Sequence, residues 1–97
     1  MIVAFTDEAL RDLEEIGDYI ARDNRDRAAT FVAELREKCL NLSEFPQAYP
    51  LVDRLARFGT RKRSHRSYLI FYRIVGESIV IQHILHASRN YNALLNS

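Results

Sequence analysis

The stretch from Tyr68 to Leu85 reads YLIFYRIVGESIVIQHIL and carries the strongest structural signal in the chain. Its two halves, Tyr68–Val75 and Ser78–Leu85, are rich in aromatic and β-branched residues, which favour β-strands. The two residues between them, Gly76 and Glu77, suit a tight turn. The stretch therefore predicts an antiparallel β-hairpin. Because side chains alternate along a strand, one face of the first strand is predicted to join the core, with the residues Tyr68, Ile70, Tyr72 and Ile74.

Two amphipathic helices are predicted upstream of this hairpin, after a short strand at Ile2–Phe5. Thr6 is a suitable N-cap for the first helix, which is predicted to end near Arg22. Turn residues then precede a second helix, whose apolar side chains recur at helical spacing as far as Leu42. With so few residues between them, the two helices must fold back on each other. We expect the acidic residues of both helices, Asp12 among them, to form a solvated outer surface.

The connection between the helices and the hairpin, residues 43–60, breaks this periodicity with Pro46 and Pro50. A basic strand is expected at Thr60–Arg66, and a short terminal helix or tail at Asn90–Leu95. The predicted fold is therefore α+β, a helical hairpin packed on a curved antiparallel sheet. Its order is β-α-α-β-β-β with a short C-terminal element, and the first strand is expected at an edge. The apolar residues expected to pin the connection to the core are Phe45, Tyr49 and Leu51.

The composition is that of one globular domain, which we assign to residues 1–97. Hydrophobic residues make up 47% of the chain and charged residues 28%, which argues against a disordered chain. No apolar run approaches the ~18 to 20 residues that cross a bilayer, and Met1–Phe5 lacks the basic start of a signal peptide. Cys39 is the only cysteine, so no internal disulfide can form and a cytoplasmic location is expected.

Basic residues are concentrated in the second half of the chain. Residues 1–50 contain six basic and eleven acidic residues, and residues 51–97 contain eight basic and two acidic residues, so the formal charges are −5 and +6. Three interpretations are open: a solvated edge strand that resists pairing, a docking surface for an acidic protein segment, and a surface that contacts nucleic-acid phosphates. The basic stretch, which holds no acid, consists of Arg54, Arg57, Arg61, Lys62, Arg63, Arg66 and Arg73.

The motifs predict no metal site and no cofactor. His83 and His86 lie three residues apart on a strand and should face opposite sides, which does not suit a shared metal ion. No serine lies in a nucleophile elbow, and the few glycines form no phosphate-binding loop. His86, Arg89 and Tyr91 lie at and just past the end of the last strand. They could deliver protons to a phosphodiester, or they could fix the C-terminus by hydrogen bonds.

An ordered set of short patterns runs along nearly the whole chain. In the helices they are Ala9-x-x-Asp12-Leu13-x-x-Ile16-x-x-Tyr19-Ile20 and Ala28-Ala29-x-Phe31 with Leu35. After the Pro46…Pro50 connection they are Arg66-Ser-Tyr68-Leu-Ile70-Phe-Tyr72-Arg73, Ile79-Val-Ile81 and Ile84-Leu85-His86-x-x-Arg89. This set resembles the ParE branch of the RelE/ParE toxin superfamily.

The resemblance implies the toxin of a type II toxin–antitoxin pair, which binds and inhibits DNA gyrase and is associated with plasmid stabilisation. It also implies a ParD-like antitoxin in a hetero-oligomer, with a ribbon-helix-helix domain and an acidic C-terminal segment. Promoter DNA would be reached only through that antitoxin. ParE-like sequences commonly carry Arg where this chain has His83, and this departure leaves open whether the residue contributes to target binding. We include His83 in the predicted partner-binding surface. The residues assigned to that surface are Arg54, Arg57, Arg61, Arg63, Arg66, Arg73 and His83.

Two alternatives remain open. RelE-like toxins share this fold and cut mRNA in the ribosome, with basic side chains on the sheet and a Tyr or His near the C-terminus. The chain could also be a degenerate toxin that only binds its antitoxin. A RelE-like ribonuclease would use Arg61, Arg73, His86, Arg89 and Tyr91, whereas the ParE-like interpretation assigns no catalytic residue.

Overall fold

The computed structural model describes residues 1–95 and confirms the predicted fold class, with two helices packed on a four-stranded sheet. The predicted order β-α-α-β-β-β and the short C-terminal element are both present. Residues 96 and 97, which the assignment of one domain includes, lie outside the described part. The elements are β1 (Ile2–Phe5), α1 (Asp7–Ala21), α2 (Arg25–Leu40), β2 (Arg61–His65), β3 (Tyr68–Val75), β4 (Ser78–His86) and α3 (Asn92–Leu95).

The two long helices begin where their capping residues indicate. The Thr6 side chain accepts a hydrogen bond from the Ala9 amide, and the Asn24 side chain accepts one from the Arg27 amide. The short link between the helices reverses the chain, so α1 and α2 pack side by side as an antiparallel hairpin. This pairing leaves one apolar side of the hairpin for the sheet.

The strands are arranged in the order β1-β4-β3-β2. The predicted hairpin forms, because β3 and β4 are antiparallel with Tyr68 opposite His86 and Val75 opposite Ser78. β2 pairs antiparallel with β3, and β1 lies at the other edge, as expected. However, β1 runs parallel to β4, so the sheet is mixed and not antiparallel throughout. No tight turn joins β1 to β4, so no local pattern in the sequence specifies their relative direction.

The main core lies between the helices and one face of the sheet. The predicted core face of β3 is confirmed, since Ile70 and Tyr72 are fully buried and Tyr68 and Ile74 pack against the same cluster. Burial raises the pKa of the Tyr72 phenol and of the Tyr68 phenol. Cys39 is also fully buried, and burial raises the pKa of its thiol to about 12.

The connection between α2 and β2 is held by hydrogen bonds and by apolar side chains other than those of Phe45 and Leu51. Tyr49 packs against the core, and the Tyr72 hydroxyl donates a 2.6 Å hydrogen bond to the Pro46 carbonyl. The expectation that Phe45 and Leu51 pin the connection is wrong, since they are 70% and 39% exposed. The bond to the Pro46 carbonyl holds the segment without burying the adjacent Phe45 ring.

The opposite face of the sheet carries a smaller core. Val52 and Leu55, at a 3-10 helix that spans Asp53–Phe58, pack with Phe71 and Leu85. α3 packs against the same cluster, so this face is covered by the connection and by the C-terminal element. None of the helices within residues 1–95 is long and apolar enough to cross a membrane.

Candidate partner-binding surface

A β-bulge interrupts the pairing of β3 with β4. Phe71 lies opposite His83 and Tyr72 lies opposite Ile81, so Gln82 is an extra residue on β4. Bulges leave backbone groups unpaired, redirect side chains and are over-represented beside functional sites. β1 pairs with β4 only as far as Ile81, so the bulge lies just beyond the point where β1 ends.

Side chains from α1 and its N-cap hold this bulge in place. Asp12 Oδ2 accepts a 2.8 Å hydrogen bond from the Ile84 amide and lies 2.8 Å from His83 Nδ1. The Thr6 hydroxyl donates a 2.8 Å hydrogen bond to the Gln82 carbonyl. The expectation that Asp12 is solvated is therefore wrong, and its side chain is only 11% exposed. A buried backbone amide needs an acceptor, and here a helix carboxylate supplies the one that the sheet does not.

His83, one of the residues predicted to bind a partner, is oriented by this arrangement. Its Nδ1 atom lies at the Asp12 carboxylate, so Nε2 is the ring nitrogen left for an outside group. A cleft of about 400 Å³ lies beside the ring, lined also by Thr6, Glu8 and Gln82. The contribution of His83 to partner binding stays a prediction.

Two arginines of the basic stretch are used inside the protein. Arg61 Nη1 donates hydrogen bonds to the carbonyls of Tyr49 at 2.7 Å and Gln47 at 3.3 Å. Arg63 Nη1 donates a 2.9 Å hydrogen bond to the Lys38 carbonyl, and its guanidinium lies over the Tyr49 ring. These contacts attach the connection and the end of α2 to β2, so both arginines stabilise the fold.

The remaining basic residues lie elsewhere. Arg54 and Arg57 are exposed on the 3-10 helix, and Arg66 is exposed in the β2–β3 turn, where its φ angle is 55°. Alternation along β2 and β3 places Lys62 and Arg73 on the sheet face opposite α1 and α2. The structure thus divides the basic stretch into residues bound to the fold and residues that remain accessible.

The residues considered for ribonuclease chemistry are distributed over both faces of the sheet. Arg61 points toward the helix side, whereas Arg73 lies on the opposite face. Tyr91 lies on that opposite face as well, where its ring packs on Phe71 with a centroid distance of 4.7 Å.

His86 and Arg89 lie at another place, the end of β4. His86 Nδ1 is 2.7 Å from the Ser88 hydroxyl, and its ring meets Tyr68 edge-on. Arg89 lines a small pocket beside His86, together with Tyr19. The five residues therefore do not converge on one reacting centre.

The third histidine belongs to a charged network between α2 and β2. His65 Nε2 is 3.0 Å from Glu34 Oε1, and Arg27 Nη1 is 2.6 Å from Glu34 Oε2. The hydrogen bond from Arg27, and then the one from His65, hold the pKa of Glu34 below its ordinary value. Within residues 1–95, no three His, Cys, Asp or Glu side chains form a group that could hold a metal ion.

A groove of about 410 Å³ lies between α1 and α2 and is lined largely by apolar side chains. Leu10, Leu13 and Val32 line it, and Leu10 is 42% exposed. Gly17 allows the helices to approach closely, because a Cβ atom there would lie 3.2 Å from Val32 Cγ2. Leu10 lies directly beside the apolar stripe of α1, which is the signal that could have pointed to the groove. The charged rim consists of Glu14, Asp18 and Arg36.

Comparison with solved structures agrees with this fold. The chain matches a structure described as "Chromosomal ParDE TA system from P. aeruginosa" with a TM-score of 0.74 and 22% sequence identity. The match covers 89% of this chain and 95% of that chain. At this level of identity the match shows a shared fold. A search of curated proteins finds no match.

The sequence also matches a toxin family over residues 3–91, which is nearly the whole chain. The fold and this match define the class of the protein, the toxin component of a type II toxin–antitoxin system. Within that class, the chain belongs to the family described as "ParE toxin of type II toxin-antitoxin system, parDE". The resemblance found in the sequence is thereby confirmed.

Proposed function

We propose that this ParE toxin inhibits DNA gyrase by binding it and trapping cleaved DNA, with no covalent chemistry of its own. The observation that carries the proposal is the family match over residues 3–91. The positions of the residues considered for ribonuclease chemistry also support it, because groups on opposite faces of a sheet cannot act on one phosphodiester. The proposed location is the cytoplasm, and the whole chain is proposed to act as one domain.

We also propose that a ParD-like antitoxin neutralises the toxin in a hetero-oligomer. The solved structure described as a ParDE system supports a partner of this kind. A partly disordered segment of the antitoxin would place its apolar side chains in the groove between α1 and α2, against Leu10 and Val32, and its acidic residues outside the rim that carries Glu14 and Asp18. Exposed cations such as Arg57 and Arg66 would meet its carboxylates. Promoter DNA would be bound through the antitoxin's ribbon-helix-helix domain.

A cleavage assay with purified gyrase and supercoiled plasmid tests the gyrase proposal. We expect the toxin to inhibit supercoiling and to increase the amount of linear DNA that is released when gyrase is denatured. Toxin that has been saturated with antitoxin is the matched control, and it should have neither effect.

Other outcomes would contradict the proposal. Absence of both inhibition and trapped cleavage would exclude gyrase as the target. Codon-linked cuts in translated mRNA, detected by primer extension after induction, would favour the RelE-like ribonuclease. Normal growth after expression without the antitoxin would favour a degenerate toxin.

The groove makes a separate prediction about the antitoxin complex. Leu10→Glu should weaken the complex by at least tenfold, since it places a charge where an apolar side chain is expected to bind. Leu40→Glu is the matched control, because Leu40 is also an exposed leucine on a helix and is not among the residues that line the groove. Isothermal titration with the antitoxin measures both variants. Equal weakening by the two would place the antitoxin elsewhere.

A further inference from the structure

A polar cleft lies on the sheet face opposite α1 and α2, where the connection runs beside β2. The Val52 amide donates a 2.8 Å hydrogen bond to the Thr60 carbonyl, and the Lys62 amide donates a 3.1 Å hydrogen bond to the Pro50 carbonyl. This short ladder keeps the two segments a fixed distance apart. The cleft beside the two segments has a volume of about 450 Å³ and is lined on its other side by Tyr91 and Asn92.

The cleft carries an excess of positive charge. Arg54 enters from the 3-10 helix and Lys62 from β2, and Asp53 is the acid that lines the same space. Arg73 lies near this cluster, because Lys62 is paired with Phe71 and Arg73 is two residues further along β3 on the same face. Two cations and one carboxylate therefore line the cleft, and Arg73 adds a further positive charge on the same face of the sheet, which favours anions.

One donor near the cleft has no acceptor. Arg73 Nε is buried and has no hydrogen-bond partner in the described part of the chain. Buried donors without partners are rare in native proteins, and at this atom no acceptor offsets the charge that Arg73 adds to this face of the sheet. Arg61 and Arg63 cannot supply this charge, because their guanidinium groups bind carbonyls on the other side of the sheet.

The other wall of the cleft is lined by Tyr91 and Asn92, whose side chains are neutral hydrogen-bond donors. The Tyr91 ring rests on Phe71, and Asn92 follows it as the first residue of α3. Residues that carry a phenol, an amide, a guanidinium and an ammonium group thus line one open space. Such a spread of separate donors suits a tetrahedral phosphate with several acceptor oxygens better than a planar carboxylate.

We propose that the cleft formed by Arg54, Lys62 and Tyr91 binds a phosphodiester of duplex DNA. This inference rests on the proposed gyrase function and deepens it, since it supplies a contact between the toxin and the cleaved DNA that the proposed function traps. Phosphate contacts of this type position a protein on DNA and carry no base specificity.

Binding of a short DNA duplex to the full chain, followed by fluorescence anisotropy over a salt series, tests the site. Lys62→Ala and Arg54→Ala should each weaken binding severalfold and lower the slope of log affinity against log salt by about 1. Arg11→Ala is the matched control, because it removes the same charge from an exposed position on α1 and should change neither quantity beyond a small general effect. Tyr91→Phe keeps the ring on Phe71 and should weaken binding without changing the salt slope.

Several results would overturn the assignment. They are the absence of duplex binding by the unchanged chain, an equal effect of Arg11→Ala, and tighter binding of single-stranded RNA than of duplex DNA. An acidic peptide that competes with DNA, and whose binding Lys62→Ala weakens more than it weakens DNA binding, would assign the cleft to a protein partner. Thermal unfolding of each variant shows whether a loss of binding is caused by a loss of the folded structure.

The gyrase assay separates this inference from the function on which it rests. If the unchanged chain fails to trap cleaved DNA, the proposed function fails, and the duplex titration still reports on the cleft. If the unchanged chain traps cleaved DNA and the double variant Arg54→Ala with Lys62→Ala does so equally well, the gyrase function stands and the DNA contact is overturned.

Discussion

Asp12 is a carboxylate in the contact between α1 and the sheet. It accepts a hydrogen bond from the Ile84 amide and orients His83, and both contacts lie at the bulge in β4. Its position was readable in principle, because Asp12 comes three residues after Ala9 and four before Ile16, on the buried stripe of α1. An acid on such a stripe needs a partner, and the sequence alone offers no way to identify a backbone amide seventy-two residues away.

Removal of this carboxylate should destabilise the fold. Asp12→Ala leaves the Ile84 amide without its acceptor, which should lower the free energy of unfolding by about 1–3 kcal/mol. Glu15→Ala is the control, since Glu15 is exposed on the same helix. Urea denaturation of both variants measures the difference, and equal stability would mean that water replaces the carboxylate.

β2 is the element whose role in the structure differs most from the role predicted from the sequence. Its basic side chains were interpreted as one charged surface, but alternation sends Arg61 and Arg63 to the helix side and Lys62 to the other. On the helix side the guanidinium groups bind carbonyls, including that of Lys38 near the C-terminal end of α2, where positive charge is favourable. Two of the seven residues of the basic stretch, Arg61 and Arg63, thus make internal contacts.

The contacts of Arg63 predict that its removal lowers the stability of the fold as well as the affinity for a partner. Arg63→Ala should lower the free energy of unfolding by about 1.5 kcal/mol, because the Lys38 carbonyl loses a charged donor. Arg11→Ala, at an exposed position on α1, should have almost no effect. Thermal and urea unfolding in the absence of any partner test the pair, and an unchanged Arg63→Ala variant would return this residue to the partner-binding surface.

The junction of α2 with β2 also predicts a response to pH. Because Arg27 and His65 lower the pKa of Glu34, its ionised form stabilises the folded state above the ordinary value of 4.5, and this stabilisation is lost as pH falls through the lowered pKa. We expect Glu34→Gln to reduce the loss of stability on acidification, whereas Glu37→Gln, at an exposed position on the same helix, should not. The free energy of unfolding is measured between pH 6 and 3 for the unchanged chain and both variants. If the network were unimportant, the Glu34→Gln curve would run parallel to that of the unchanged chain.

At the scale of the whole molecule, the two halves of the chain differ in charge as well as in secondary structure. The half of the chain that forms α1 and α2 carries a formal charge of −5, and the half that forms the remaining sheet carries +6. The two halves of the chain therefore differ strongly in charge although the net charge is only +1. An acidic partner segment is therefore attracted to one side of the molecule.

The charge separation predicts how an acidic antitoxin associates. Its association rate should fall steeply between 0.05 and 0.5 M salt, with a smaller change in the dissociation rate, because screening weakens long-range attraction more than packed contacts. Stopped-flow mixing measures the association rate, and dissociation from a surface-captured complex measures the dissociation rate. A rate of association that does not depend on salt would argue for a mainly apolar encounter through the groove.

The types and order of the strands and α-helices, the Thr6 cap and the core face of β3 were all predictable from the sequence, because they depend on periodicity and turn residues within short segments. The family match was predictable for the same reason, since an ordered set of such segments defines it. The 3-10 helix at Asp53–Phe58 was not predicted. The parallel direction of β1, the bulge with its Asp12 contact, and the division of the basic stretch between internal and accessible side chains were not either. These features depend on register and hydrogen bonds between segments that are distant in the chain, and no local pattern encodes them.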